Sequence, residues 1–100
     1  MATDADDVQV VDNPSEDRYE ARVDGALAGF VMYEREPGRL VLLHTEVDPA
    51  FEGKGVGSKL AAGVLDDIRD HGGVIVPRCR FIAKYIAKHP EYDDIVASGA

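Results

Sequence analysis

The residues of this chain with the most legible chemistry are Glu52-Gly53-Lys54-Gly55-Val56-Gly57. Alternate positions of the run lack a side chain, so a ligand can approach the main chain closely. A helix beginning near Val56 would aim its first unpaired N–H groups, and the positive end of its dipole, into the same space. The chemistry implied is anion binding, with phosphate the expected group. Two common phosphate loops do not fit. The P-loop order G-x-x-x-x-G-K-[ST] is approached by Gly57-Ser58-Lys59 with its last two residues interchanged, and G-x-G-x-x-G fails because Ser58 and Leu60 stand where its third glycine belongs. A strand-to-helix connector without a ligand is the plain alternative. The lone cysteine, Cys79, follows a short apolar strand and opens a second helix, where the helix dipole, Arg78 and Arg80 would favour a thiolate. Its simpler reading is a small buried hydrophobe.

The elements that must position these residues follow from periodicity. Val8-Gln9-Val10-Val11 forms a short strand closed by Asp12-Asn13-Pro14. Tyr19, Ala21 and Val23 alternate with Arg18, Glu20 and Arg22, the pattern of a strand with one wet face. Asp24-Gly25 is a type I′ turn pair, so residues 26–35 return as a hairpin arm, with apolar residues on both faces: Leu27, Val31 and Tyr33 against Ala28, Phe30 and Met32. After the turn Glu36-Pro37-Gly38, a strand runs from Arg39 to Val47 and stops at Asp48-Pro49. Val56, Leu60, Val64 and Ile68, with Ala61 and Leu65, form the buried stripe of a helix that turns Lys59, Asp66, Asp67, Arg69 and Asp70 outward. Gly63 in its middle points to the close approach of another backbone, and Gly72-Gly73 ends it. Val74-Ile75-Val76, reached by a helical crossover, should lie parallel to Arg39–Val47. A second helix, residues 80–88, carries Phe81, Ile82, Tyr85 and Ile86 at helical spacing until Pro90, which starts a last turn.

One hundred residues make one domain with a small core, and a deep pocket would need walls from a second subunit, so a homodimer is an expectation. Residues 1–7 and 97–100 are expected to fray. With 19 acidic against 11 basic residues and a charge of −8, affinity for nucleic acid or an anionic membrane is disfavoured and cationic partners are favoured. Twelve Asp against four Lys is also the balance of a protein kept soluble in high salt. No apolar run approaches the roughly 18 residues that span a bilayer, so the expected location is cytoplasmic. One cysteine and three scattered histidines give no metal-site spacing, and no metal is expected.

The strand ending in Val47-Asp48-Pro49, followed by Glu52-Gly53-Lys54-Gly55-Val56-Gly57, resembles the coenzyme A loop of the GCN5-related N-acetyltransferases, Q/R-x-x-G-x-G/A. His44-Thr45-Glu46-Val47, Pro77-x-Cys79-x-Phe81 and His89-Pro90-Glu91-Tyr92 resemble a subfamily of very small stand-alone members, over about residues 18–96. Two departures stand out. Glu52 puts a carboxylate where the wider family prefers Gln or Arg, and Arg80 stands where the subfamily often has proline.

The resemblance implies an α/β (α+β) fold, a mostly antiparallel sheet splayed at one parallel strand pair and packed with two main helices. It implies acetyl-coenzyme A as co-substrate and an exposed, cationic amine as acceptor, with no room for the additional N-terminal helices of full-length members. The pyrophosphate would meet Gly53, Lys54, Gly55, Val56, Gly57 and Ser58, the pantetheine arm would pair with backbone at Glu46 and Val47, and Cys79 and Arg80 would complete the cofactor site. His44 and Glu46, expected on one strand face with Leu40 and Leu42, are the candidate bases, each with a structural reading beside it. Tyr85 resembles the general acid of many members, although on periodicity alone it is a core aromatic. Cys79 would be structural, line the thioester, or carry the acetyl group. A non-catalytic module for coenzyme A or its acyl derivatives, and a purely structural interaction domain, are the alternative functions.

Overall fold

The Asp24-Gly25 turn forms for the reason anticipated, whereas Asp12 and Asn13, expected to close the first strand, are its last two residues. Asp24 and Gly25 both adopt positive φ, 51° and 82°, so the chain reverses in the two residues a hairpin needs. The computed structural model describes residues 8–97. In chain order these are β1 (Val8–Asn13), a 3₁₀ turn (Pro14–Glu16), β2 (Arg18–Val23), β3 (Ala26–Glu36), β4 (Arg39–Val47), a 3₁₀ turn (Pro49–Phe51), α1 (Val56–Asp70), β5 (Ile75–Pro77), α2 (Arg80–Lys88) and a 3₁₀ segment (Pro90–Ile95). The five strands form one sheet in the order β1-β2-β3-β4-β5, with every neighbouring pair antiparallel except β4–β5. This is the α+β architecture expected. Of the expected frayed ends, 1–7 and 98–100 lie outside the described residues. The N–H of Ala97 donates to Ile75 O at 2.8 Å, and Val96 bridges Ile75.

Both helices lie on one face of the sheet, the inner face. The stripe Val56, Leu60, Ala61, Val64, Leu65 and Ile68 of α1 is buried there with Tyr19, Ala21, Val31, Tyr33 and Leu42 of the strands and Ile82 and Ile86 of α2. Each fully buried aliphatic of this set contributes roughly 1.5–3 kcal/mol. Asp66 and Asp67 sit at the edge of that contact, part-exposed, and accept the hydroxyl protons of Tyr92 and Tyr19 at 2.7 Å each. Burial and these carboxylates raise the pKa of both tyrosines. Gly63 is explained by a side chain instead of the backbone expected. A Cβ there would lie 2.6 Å from Val10 Cγ2 and 2.7 Å from Val10 Cβ, so β1 packs where a methyl group would stand.

The outer face corrects one expectation. Residues of β3 were to be buried on both sides, but Phe30 is only half-buried and Met32 is 41% exposed. Among the described residues no helix covers that side. What seals its centre is polar: Glu20, 3% exposed, accepts from Arg22 Nη2 at 2.8 Å, Arg18 Nε at 2.8 Å and Asn13 Nδ2 at 3.0 Å. The Arg18 guanidinium in turn lies 4.9 Å over the Phe30 ring. The donors, Arg22 first, pull the Glu20 carboxyl from its ordinary 4.5 down to about 2.

Two stability tests follow. On an open helix Gly63→Ala would gain about 1 kcal/mol; here it should lose roughly 1–3 kcal/mol by overpacking, read as a lower melting temperature. The Gly63→Ala/Val10→Ala pair should lose less than the sum of the two single losses. Glu20 has a folded pKa below its unfolded one, so its contribution is complete above about 4.5 and vanishes as pH falls through about 2. The gap in melting temperature between the parent chain and Glu20→Gln should be constant near neutrality and close over that acid window.

Candidate functional site

The site begins where β5 stops. Its ladder with β4 covers only Leu40↔Ile75, Val41↔Val76 and Leu42↔Pro77. Pro77 has no N–H to extend it, and the last bond is made by Cys79 N–H to Leu42 O at 2.8 Å. The chain then turns into α2, with Cys79 as its N-cap residue, while β4 runs on to Val47. The two parallel strands therefore part at their C-terminal ends, the end at which open α/β sheets bind ligands.

A β-bulge decides what each face of the free part of β4 displays. Met32 pairs with His44 but Tyr33 pairs with Leu42, leaving Leu43 as the extra residue. The insertion reverses the alternation. His44 and Glu46 thus do not share a face with Leu40 and Leu42, as the uninterrupted period implied. They point to the outer face, where His44 Nε2 lies 3.0 Å from Glu46 Oε2 and both side chains are exposed. With Nε2–H donating to Glu46, Nδ1 becomes the basic ring nitrogen. The inner face receives Thr45 and Val47. Thr45 Oγ1 lies 3.1 Å from the sulfur of Cys79, which is buried at 5% exposure. One three-residue segment therefore holds a His–carboxylate pair on one side and a hydroxyl–thiol pair on the other.

The glycine loop lies at the same end of β4. Asp48 Oδ1 accepts the Ala50 N–H at 2.8 Å and starts the 3₁₀ turn that leads into it. Gly53 and Gly55 have φ of 79° and 78°, a conformation that side chains resist. Gly55 is the N-cap of α1 and supplies no side-chain cap, and no acidic residue stands in the first turn. Lys59 N–H to Gly55 O is the first helical bond, so the N–H groups of Val56, Gly57 and Ser58 precede the ladder. Glu52, Lys54, Ser58 and Arg80 are exposed around this opening.

Two contributors escaped the sequence reading. Thr45 lay within a quoted motif, and its relation to Cys79 needed the register of two distant strands. Phe81 has helical spacing with the core residues of α2, yet it is 40% exposed. Its ring stands beside the start of α1, with Cζ 2.9 Å from where a Cβ on Gly57 would be, and Val47 Cγ2 3.6 Å from the same point. The glycine at 57 leaves the space Phe81 occupies. Tyr85 is brought to neither pair: it stacks on His89 with centroids 4.1 Å apart and lies 6.2 Å from Tyr92. Burial, Asp66 and Glu91 raise its pKa. A separate cleft of about 400 Å³ lies at the other end of α1, between Tyr19, Arg39, Asp67 and His71. Its carboxylates are already engaged, Asp67 by Tyr19 and Glu36 by Arg39 at 2.8 Å, and it sits at the amino ends of β4 and β5.

The family to which these features point is found by direct comparison. The sequence pattern of the GCN5-related N-acetyltransferases matches residues 18–95, and the chain belongs to that family. Its fold is similar to the solution structure of a GCN5-like protein from Staphylococcus aureus, with a TM-score of 0.67 at 20% identity over 91% of this chain and 89% of that one. Among curated proteins none matches.

Proposed function

We propose that the chain is an acetyl-coenzyme A-dependent N-acetyltransferase acting on an exposed amine, working in the cytoplasm. The observation that carries this reading is the position of the glycine loop at the mouth of the gap between β4 and α2, with the Cys79–Thr45 pair inside that gap. Membership of an acetyltransferase family supports the reaction class.

The residues fit the co-substrate. A pyrophosphate is an acceptor-only group, and the donors offered to it are the leading N–H groups of α1 at Val56, Gly57 and Ser58, with Gly53, Lys54 and Gly55 beside them. Glu52 is the one residue of the wrong sign, and its exposed side chain is able to turn to water. Past Leu42, β4 has no strand beside it on its β5 side among the described residues, so a pantetheine arm finds backbone groups at Glu46 and Val47 to pair with. Phe81 gives that passage an apolar wall, and Arg80 a cation at its rim. Cys79 and Thr45 line the thioester end.

In this reading the amine arrives from the outer face. His44, oriented by Glu46, takes its proton as nitrogen attacks the thioester carbonyl, and an N–H of the β4 edge stabilises the developing oxyanion. The departing thiolate needs a proton, for which Tyr85 would have to leave its stack on His89. The contact between Thr45 and Cys79 favours a second route, in which the Cys79 sulfur takes the acetyl group while its own proton passes to the departing sulfur, coenzyme A leaves as the thiol, and the amine then takes the acetyl group and returns a proton to Cys79. Cys79→Ala separates the two: unchanged kcat on a good amine retains direct transfer, and loss of turnover with ligand binding intact supports the thiol route.

The first test is a melting curve with and without acetyl-coenzyme A, in low and in high potassium chloride. At about 100 times its Kd the ligand adds roughly 2.7 kcal/mol, an upward shift on the order of 10–20 °C for a domain of this size. Gly55→Val should still melt cooperatively, weakened by about 1–2 kcal/mol for a side chain at positive φ, and should lose the shift. A cooperative parent chain with no shift in either salt would turn the reading to a structural interaction domain, and a shift without transfer to any amine to a binding module.

A further inference from the structure

The basic side chains are distributed unevenly. Arg18, Arg22, Arg35, Arg39 and Arg69 each pair with a carboxylate, and Lys59 is engaged as well. The rest, Lys54, Arg78, Arg80, Lys84 and Lys88, are exposed and make no ion pair among the described residues, although the chain carries 19 acidic residues. All but Lys54 lie on α2 or just before it. Helix stability does not call for this arrangement. Arg80 is the first residue of α2, where the dipole opposes a cation, and only Lys88, in the last turn, is favoured by it.

Arg80, Lys84 and Lys88 recur every four residues, so they form one stripe on the side of α2 away from the buried Ile82 and Ile86. Ala83 and Ala87, also exposed, adjoin it and leave a low shoulder beside the long basic side chains. Coenzyme A does not account for the whole stripe. Arg80 and Lys54 rim the cofactor opening, but Lys84 and Lys88 lie one and two turns further on, roughly 6 and 12 Å along the axis. A nucleic acid fits poorly, because Glu91, Asp93 and Asp94 follow α2 directly and the chain carries −8, so a phosphate polymer longer than the stripe meets repulsion beyond it. A second copy fits poorly too. On the described helices one carboxylate pair stands four residues apart, Asp66 and Asp70, and Asp66 already accepts from Tyr92 and Arg69.

We infer that the solvent face of α2 docks a short acidic helix of a partner protein, whose carboxylates meet Arg80, Lys84 and Lys88. Residues four apart on a helix are about 5–6 Å apart at Cβ, so a partner with acidic residues at that interval matches the stripe charge for charge, and the alanine shoulder lets its backbone come close. Complementarity of this kind sets partner choice and register. The inference goes beyond the acetyltransferase reading and does not depend on it, although it seats the partner beside the cofactor opening. The pairs are exposed, so binding weakens as salt screens them.

The experiment follows fluorescence anisotropy of a labelled, alanine-rich helical peptide with Glu at every fourth position, in the lowest potassium chloride at which the parent chain melts cooperatively. The parent should bind it more tightly than the same peptide with Gln at those positions, by on the order of tenfold for three exposed pairs. Lys84→Gln/Lys88→Gln should lose most of that preference while its melting shift with acetyl-coenzyme A equals the parent's. Equal affinity for the two peptides, or an undiminished preference in the variant, overturns the inference. Loss of the melting shift in the variant alone overturns it by assigning the stripe to the cofactor. Tighter binding of an oligothymidylate than of the Glu peptide assigns the stripe to nucleic acid, and a concentration-dependent dimer that the variant disperses assigns it to a second copy; either overturns the inference. A parent chain with the peptide preference and no melting shift supports the inference and overturns the acetyltransferase reading.

Discussion

The constraint on which the rest of the structure depends is the brevity of the β4–β5 ladder. Three residue pairs hold the parallel junction, and a proline stands at its last rung. A longer β5 would pair with β4 through Val47 and close the gap at the end of the sheet. Because it stops, β4 runs beside α2 with part of its edge open, and the glycine loop begins where that open stretch ends. The cost is lost strand pairing at one edge, which is partly offset by Cys79 N–H on Leu42 O, the Val96–Ile75 bridge and Ala97 N–H on Ile75 O.

Most of the fold was legible because local signals agreed with the tertiary result. The Asp24-Gly25 turn, the apolar stripe of α1, Gly72 at positive φ and the proline-bounded α2 each read correctly from residues close in sequence. The errors lie where a structural fact depends on a partner strand. Nothing in Leu40–Glu46 marks Leu43 as the extra residue; the bulge exists only relative to Met32 and Tyr33 of β3, and it moved His44 and Glu46 to the other face. The apolar residues Phe30 and Met32 read as core because the period records hydrophobicity and not whether a helix covers the face. Gly63 was read correctly as a close approach, but the approaching group, Val10, lies 53 positions earlier in the chain.

The candidate site was half legible for the same reason. The loop glycines act through their own φ angles and through the helix that follows, all local properties. The pairing of Thr45 with Cys79 joins residues 34 apart, and the seat of Phe81 beside Gly57 joins the starts of two helices. Tyr85 illustrates the opposite limit: helical spacing placed it on the core side of α2, and its stack on His89 four residues on satisfies that pattern.

Two tyrosines from opposite ends of the chain, Tyr19 and Tyr92, hold adjacent carboxylates of α1, Asp67 and Asp66. Neighbouring residues on a helix are about 100° apart around its axis, so the two grips act from different directions and fix the helix against rolling as well as sliding. Val56 lies ten residues before Asp66, roughly 15 Å along the axis. Rotation of a rigid rod is the same at both ends, and the compass bearing of the leading N–H groups is therefore set by a clamp at the opposite end of the helix.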